Sequence, residues 1–457
     1  MRRKPQRRMM ARDKKSLFAI PDGRNLAVTF TLVSSLFLLW GFCNGMIDVM
    51  DKHFQRELHL TLARSAWVQF AHYLGYFLMA LPAGWLATRL GYKGGIIAGL
   101  LMVAVGGLWF IPATHLAAFW AFLLGVCLIA AGLTFLETVA NPYTTVLGPP
   151  EFAATRINLA QSCNGIGWIF GPIAGGMFFY GKDAAGVSTG SQTLWIPYAG
   201  VAVLVIVLAV VFRFADVPDI KARDAYHLDD NAPGASRSIW AHPHFVLAVA
   251  AQFLYVAAQA GIFSFFINYM TTEVPPIPES WRSGIVASWF EPGRVGALAL
   301  SDKGAAYLAS LGFLCFLAGR FSGAGILKKF SPHRVLGLYG LVNVVACALV
   351  FLKLGWLSVT CVFLSYFFMS IMFPTIFALG IHGLGARAKK ASAFIVMAIM
   401  GGAILPKLMG AVGDLYGMSR AFIVPLGCFA FVSFYGFNWA RLSKADSPGA
   451  APSGGGH

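Results

Sequence analysis

The sequence predicts an all-α integral membrane protein with twelve transmembrane helices in two pseudo-symmetric halves of six. Three observations lead there. Of the 457 residues, 58% are hydrophobic and only 12% charged, about half the charged fraction of a soluble globular domain. Apolar runs of about 20 residues, enough to cross ~30 Å of hydrocarbon as a helix, recur along the chain. The third observation is an internal repeat: Pro142-x-x-x-x-Leu147-Gly148 returns as Pro374-x-x-x-x-Leu379-Gly380, at an offset of 232 residues.

Breaks at Gly, Pro and charged residues delimit the elements. Residues 1–25, with Arg2, Arg3, Lys4, Arg7, Arg8, Arg12, Lys14 and Lys15, form a basic tail. It leads into a full-length apolar segment without a small-residue cleavage site, so no cleavable signal peptide is expected. The first half, 26–214, holds helices at about 26–50, 64–88, 94–111, 116–147, 156–180 and 194–214. A polar linker of mixed charge follows at 215–243. The second half, 244–440, holds helices at about 244–271, 302–327, 333–353, 355–380, 391–415 and 419–440, with a Pro-rich loop over 271–301. Gly171-Pro172 with Gly175-Gly176, and Gly401-Gly402 with Pro406, read as kink and packing points. Residues 441–457, Gly- and Pro-rich, are expected to be disordered.

A net charge of +16 raises the possibility of a nucleic-acid partner. The cations, however, occupy the tail and short loops on its side (Arg89 and Lys93, Arg156, Lys221 and Arg223, Lys328 and Lys329, Lys389 and Lys390). That is the positive-inside pattern, which places both termini in the cytoplasm and makes lipid the partner. The seven cysteines lie in apolar segments without metal-type spacing and read as small packed hydrophobes.

The stretch from Leu133 to Gly148 carries Glu137 inside an apolar run. A carboxylate at the centre of a membrane helix costs about 3 kcal/mol by insertion scales, so it marks a candidate functional site. In the repeat Glu137 aligns with Met369; the scaffold does not demand an acid there. Asp48 is the second candidate, and two environments fit it: a cavity wall, or a solvated helix end beside Asp51 and Lys52. Low dielectric disfavours the charged form of a carboxyl, and two that share a cavity titrate as a coupled pair; a group able to bind and release a proton near neutral pH is what proton coupling requires.

Amides in apolar runs need partners. Asn44 with Asp48, Gln161 with Asn164, and Gln252 with Tyr255 and Gln259 each share a helix face, and Asn268 lies further along the same run as Gln259. Such amides serve either as interhelical glue or as a lining that matches sugar hydroxyls, since both groups donate and accept. Phe263, Phe265, Tyr269 and Tyr366 are ring candidates for a pyranose face, or else packing residues. His72, Arg320 and Lys407 are further intramembrane ionisable groups, with Lys407 able to pair with Asp414. No metal motif, Cys/His pair or nucleophile elbow accompanies the acids, so an enzyme is not expected.

With Gly84, Arg89, Gly91 and Lys93 between the second and third helices, the layout resembles the major facilitator superfamily. More specifically, the chain resembles the fucose/galactose/glucose:cation symporter family in Leu39-Trp40-Gly41-x-x-Asn44-x-x-x-Asp48, Leu136-Glu137-Thr138-x-Ala140-Asn141-Pro142, Asn158-Leu159-Ala160-Gln161-x-x-Asn164, Ala251-Gln252-Phe253-x-Tyr255 and Phe373-Pro374-Thr375-Ile376-Phe377. The resemblance implies a major facilitator fold in a bacterial cytoplasmic membrane. It also implies functional carboxylates at Asp48 and Glu137. Gly45, Ile47, Phe263 and Asn268 depart from the fucose-transporting pattern, which implies another hexose.

The expected function is therefore uptake of a monosaccharide (glucose, galactose, mannose or fucose) together with a proton, by alternating access. No cofactor or bound metal is expected, and the expected unit is a monomer. Proton coupling is favoured over sodium. The alternatives are a sodium-coupled hexose symporter or an N-acetylglucosamine or amino-sugar carrier.

Overall fold

The computed structural model describes residues 17–18, 25–149, 153–181, 190–218, 238–282, 284–293, 297–327, 329–384 and 388–444. Most of the basic tail, the centre of the linker with Lys221 and Arg223, and nearly all of the C-terminal tail lie outside them. So does Lys328.

Helix α1 spans Ala27–Glu57. A hairpin turn then leads into Trp67–Leu116, which Gly91, at φ 69° and ψ −179°, divides into α2 (67–90) and α3 (92–116). Glycine takes that positive φ without the steric penalty other residues meet, so the loop motif supplies the bend. Beside it Lys93 donates to the Ala215 carbonyl and Tyr92 stacks on Tyr143. Helices α4 (Phe119–Val146), α5 (Ala153–Phe178) and α6 (Trp195–Phe214) complete the first half.

The second half begins with α7, Pro243–Ser264 continued past Phe265 by Phe266–Thr272. Then come α8 (Asp302–Leu327), α9 (Pro332–Phe351) and α10, in pieces Trp356–Met369 and Met372–Ile381. Helix α11 runs Ala388–Met397, a 3-10 turn and Gly401–Tyr416; α12 comprises Met418–Ala421 and Ile423–Lys444. The segment before α8 is less irregular than its prolines suggest, because β1 (Phe290–Pro292) pairs antiparallel with β2 (Leu298–Leu300).

Ten segments of the described residues are long and apolar enough to cross a membrane, which makes this a multi-pass membrane protein. Among the twelve helices, α2 and α5 fall outside that set. Their sequences carry the polar residues, Gln69 and His72 on one and Gln161 and Asn164 on the other, that turn inward.

Close crossings are built from small residues. Gly41-x-x-x-Gly45 on α1 meets Gly167-x-x-x-Gly171 on α5. A Cβ at Gly41 would overlap the Asn164 carbonyl, and one at Gly167 the Leu38 carbonyl. Backbone approach of this kind replaces the hydrophobic drive that lipid removes. Gly41→Ala is expected to cost about 1–3 kcal/mol through overpacking, read as a lower melting temperature in detergent. Gly401 packs on the Phe253 carbonyl in the same manner, and Gly402 makes room for the Tyr73 ring, so this pair packs as the sequence predicts.

The two halves are not exact copies. Helix α4 is continuous through Pro142, whereas its counterpart α10 breaks after Met369, the residue that aligns with Glu137. Pro374 then sits in the first turn of the new helix, where its missing N–H leaves no bond unmade.

Hydrogen bonds between the halves cluster at the end of the bundle carrying the α1–α2 hairpin. Arg56 pairs with Asp302 at 2.6 Å and Asn268 donates to Gln55. The Asp414 carboxylate accepts from the backbone N–H of Leu62 and Ala63 at 2.8 and 3.0 Å. This corrects the pairing of Asp414 with Lys407: the acid caps the hairpin, and Lys407 lies over the Trp67 ring at 4.2 Å.

Candidate functional site

The site is organised on one face of α1. Trp40, Asn44, Asp48, Asp51 and Gln55 follow at spacings of three and four residues, which places them in a single stripe along the helix. Each level of the stripe meets a different neighbour.

At the first level Trp40 Nε1 donates to Tyr76 Oη at 2.5 Å. Tyr76 also lies beside Asn44 and interacts electrostatically with Glu137 of α4. Glu137 is half-buried. His72 packs against Tyr73 and Tyr76, with its Nδ1 buried and without a protein partner.

At the second level Gln69 Nε2 donates to Asp48 Oδ1 at 2.9 Å, while Asp48 Oδ2 has no protein partner. Asp48 is only 7% exposed, so of its two environments the structure gives the buried one. Tyr73 of α2 and Tyr366 of α10 both sense its charge, which places it between the halves. One turn on, Asp51 is fully buried and accepts from Ser264 of α7.

The third level is Gln55, which joins Ser65 and Asn268. Asn268 therefore belongs to the closed end of the bundle in this conformation.

The remaining predicted residues divide by what they touch. Gln161 reaches Asn141 of α4 at 3.1 Å, and Asn164 donates to the Phe37 carbonyl at 3.3 Å; both tie α5 to its neighbours. Tyr255 donates to the Met369 carbonyl at 2.9 Å, at the α10 break, and Arg320 of α8 lies within its electrostatic reach. Gln252 is wholly buried, with neither amide atom partnered in the protein, and Gln259 is half-buried. Phe263 stacks on Tyr366 at 4.6 Å and 29°, flanked by Phe313 and Trp168. Of the other ring candidates, Phe265 is buried and Tyr269 packs on Phe422.

Sequence reasoning passed over Trp40, Asp51, Gln55, Gln69, Tyr76 and Ser264. The α1 stripe was available as a signal: extending the Asn44–Asp48 spacing by a further turn reaches Asp51 and then Gln55. Gln69 and Tyr76 likewise stand seven residues apart on one face of α2.

Two six-helix halves enclosing buried acids, amides and stacked rings, with no cation paired to those acids among the described residues, define a secondary transporter. The Major Facilitator Superfamily model matches residues 28–406. The chain belongs to the Major Facilitator Superfamily. It is 32% identical to a glucose/galactose transporter of Brucella abortus over 414 residues, covering 90% of this chain and 94% of that one. It is 34% identical to the L-fucose-proton symporter of Escherichia coli over 432 residues, covering 91% and 93%. The crystal structure of the transporter FucP in an outward conformation matches with a TM-score of 0.64 at 33% identity, over 91% of this chain and 99% of that one. The structure of a bacterial homologue of the lysosomal transporter Spinster shares the fold, with a TM-score of 0.68 at 15% identity over 93% and 98%.

Proposed function

We propose that this protein is a proton-coupled symporter that takes up a monosaccharide by alternating access between its halves. The observation that carries this reading is the α1 stripe: Asp48, held by Gln69 with no Lys or Arg paired to it among the described residues, stands one turn from Asn44, beside Tyr76, which faces Glu137. Asp48 and Glu137 carry the proton. Asn44, Gln161, Asn164, Gln252, Gln259 and Asn268 present hydrogen-bonding groups to hydroxyls, while Tyr255, Phe263 and Tyr366 supply the apolar wall. The glucose/galactose and L-fucose relatives support a hexose or deoxyhexose. The unit works as a monomer, without a cofactor.

The membrane is the bacterial cytoplasmic membrane. The basic 1–25 tail, the 215–243 linker and the 441–457 tail lie inside, connecting and flanking the halves at 26–214 and 244–440. The α1–α2 hairpin then faces outward, and the bonds clustered there hold the outer end shut.

The test is uptake into proteoliposomes across a panel of hexoses and amino sugars, with pH and sodium gradients varied separately. Accumulation of a hexose under a pH gradient alone is expected. Sodium-only accumulation would replace the proton with the other coupling ion, and absence of all sugar transport would overturn the reading.

A further inference from the structure

We propose that Asp51 is a third carboxyl group of the proton pathway: it shares one proton with Asp48, and its contact with Ser264 ties that proton to closure of the hairpin end of the bundle. This rests on the symport reading above and names a residue that reading does not use.

Asp51 lies three residues after Asp48 on the same helix face and is 0% exposed. It interacts electrostatically with Asp48, to which Gln69 donates, so the two buried carboxyls form one unit. Each has one carboxyl oxygen without a protein partner, Asp48 Oδ2 and Asp51 Oδ1. Other titratable groups that face Asp51 are Tyr180, following α5, and Tyr198 of α6. Their hydroxyls already donate to the Val49 carbonyl and to Met50 Sδ. From α7 the facing group is Ser264, which belongs to the other half and donates to Asp51. Among the described residues no Lys or Arg pairs with either acid; Arg56, one turn further, is taken by Asp302.

Two negative charges buried together without a cation are more costly than one, so a dry pair of this kind retains a proton. Shutting the hairpin end forms the Ser264 contact and removes water from the pair. Closure thus selects the singly protonated pair. Opening breaks the contact and lets water reach both acids. The proton taken from one side is in this way carried through the closure, without any covalent step.

The test compares wild type, Asp51→Asn, Asp51→Ser and Ser264→Ala in sugar counterflow across a pH series and in accumulation driven by a pH gradient. Wild-type counterflow is expected to decline at alkaline pH, by up to about tenfold per pH unit as one proton is lost. Both Asp51 variants hold at most one negative charge at the pair, so they should keep the acid-pH counterflow rate and lose the alkaline decline. Their accumulation should collapse towards equal concentrations. Ser264→Ala keeps both acids and should retain the pH profile at a lower rate. If both Asp51 variants reproduce the wild-type profile, the proposal is wrong while the symport reading stands. If wild type transports no sugar, it is that reading which fails. Asp51→Ser guards against misfolding of Asp51→Asn, and thermal melting of each variant confirms the fold.

Discussion

Glu137→Gln is expected to abolish accumulation of sugar driven by a pH gradient while leaving the protein folded. The amide has nearly the same shape, so the packing of α4 survives, but it cannot take up or release a proton near neutral pH. A single proton moving down one pH unit supplies about 1.4 kcal/mol, which sustains about a tenfold accumulation. The variant should sustain none, and the internal and external sugar concentrations should equalise. Half-burial of Glu137 beside Tyr76 supports this separation of roles. The check is uptake of labelled sugar into proteoliposomes with and without the gradient, next to a melting curve. Undiminished gradient-driven uptake would remove Glu137 from the proton pathway.

Asp48→Asn should separate exchange from coupling. Sugar counterflow needs no net proton movement, so a variant with a permanently neutral group at this position should still exchange sugar across the membrane. Gradient-driven accumulation should fall towards unity by the same arithmetic, about tenfold per unit of pH difference. Gln69 keeps a hydrogen-bonding partner in the amide, which limits structural damage. Loss of counterflow together with loss of accumulation would mean that Asp48 binds the sugar or holds the fold rather than carrying the proton. Normal behaviour in both assays would leave the residue with no part in transport.

The glycine crossing of α1 on α5 limits how these variants are read. A change that shifted α1 would disturb Asn44, Asp48 and Asp51 together, because Gly41 and Gly45 seat that helix against Gly167 and Gly171. Gly41→Ala therefore serves as a control whose effect on stability should precede any selective effect on coupling.

By itself the sequence determined the twelve helices, their arrangement in two sixes and the break between the second and third helices. It also determined the pairing of Asn44 with Asp48 on one face. These are local properties, since apolar length, helical period and breaks at Gly, Pro and charge each depend on residues within a few turns. The repeat from Pro142 to Pro374 was equally legible, because it compares the chain with itself.

Only the tertiary structure decided where α1 ends and what its last turns are for. The sequence ends the first helix at about residue 50 and leaves open a solvated end at Asp48, beside Asp51 and Lys52, yet α1 continues to Glu57 and buries Asp51 and His53 at 0% and 2% exposure. Their environment comes from Ser264, 213 residues away, and from the turn around Phe179, whose carbonyl meets His53. Contacts between different helices likewise hid the Gln69–Asp48 bond, the Tyr76 neighbour of Glu137 and the Asp414 cap that leaves Lys407 to Trp67. A charged residue carries no local mark of whether water or another helix will surround it; that is set by packing between the halves, where removing solvent turns a surface acid into a buried one.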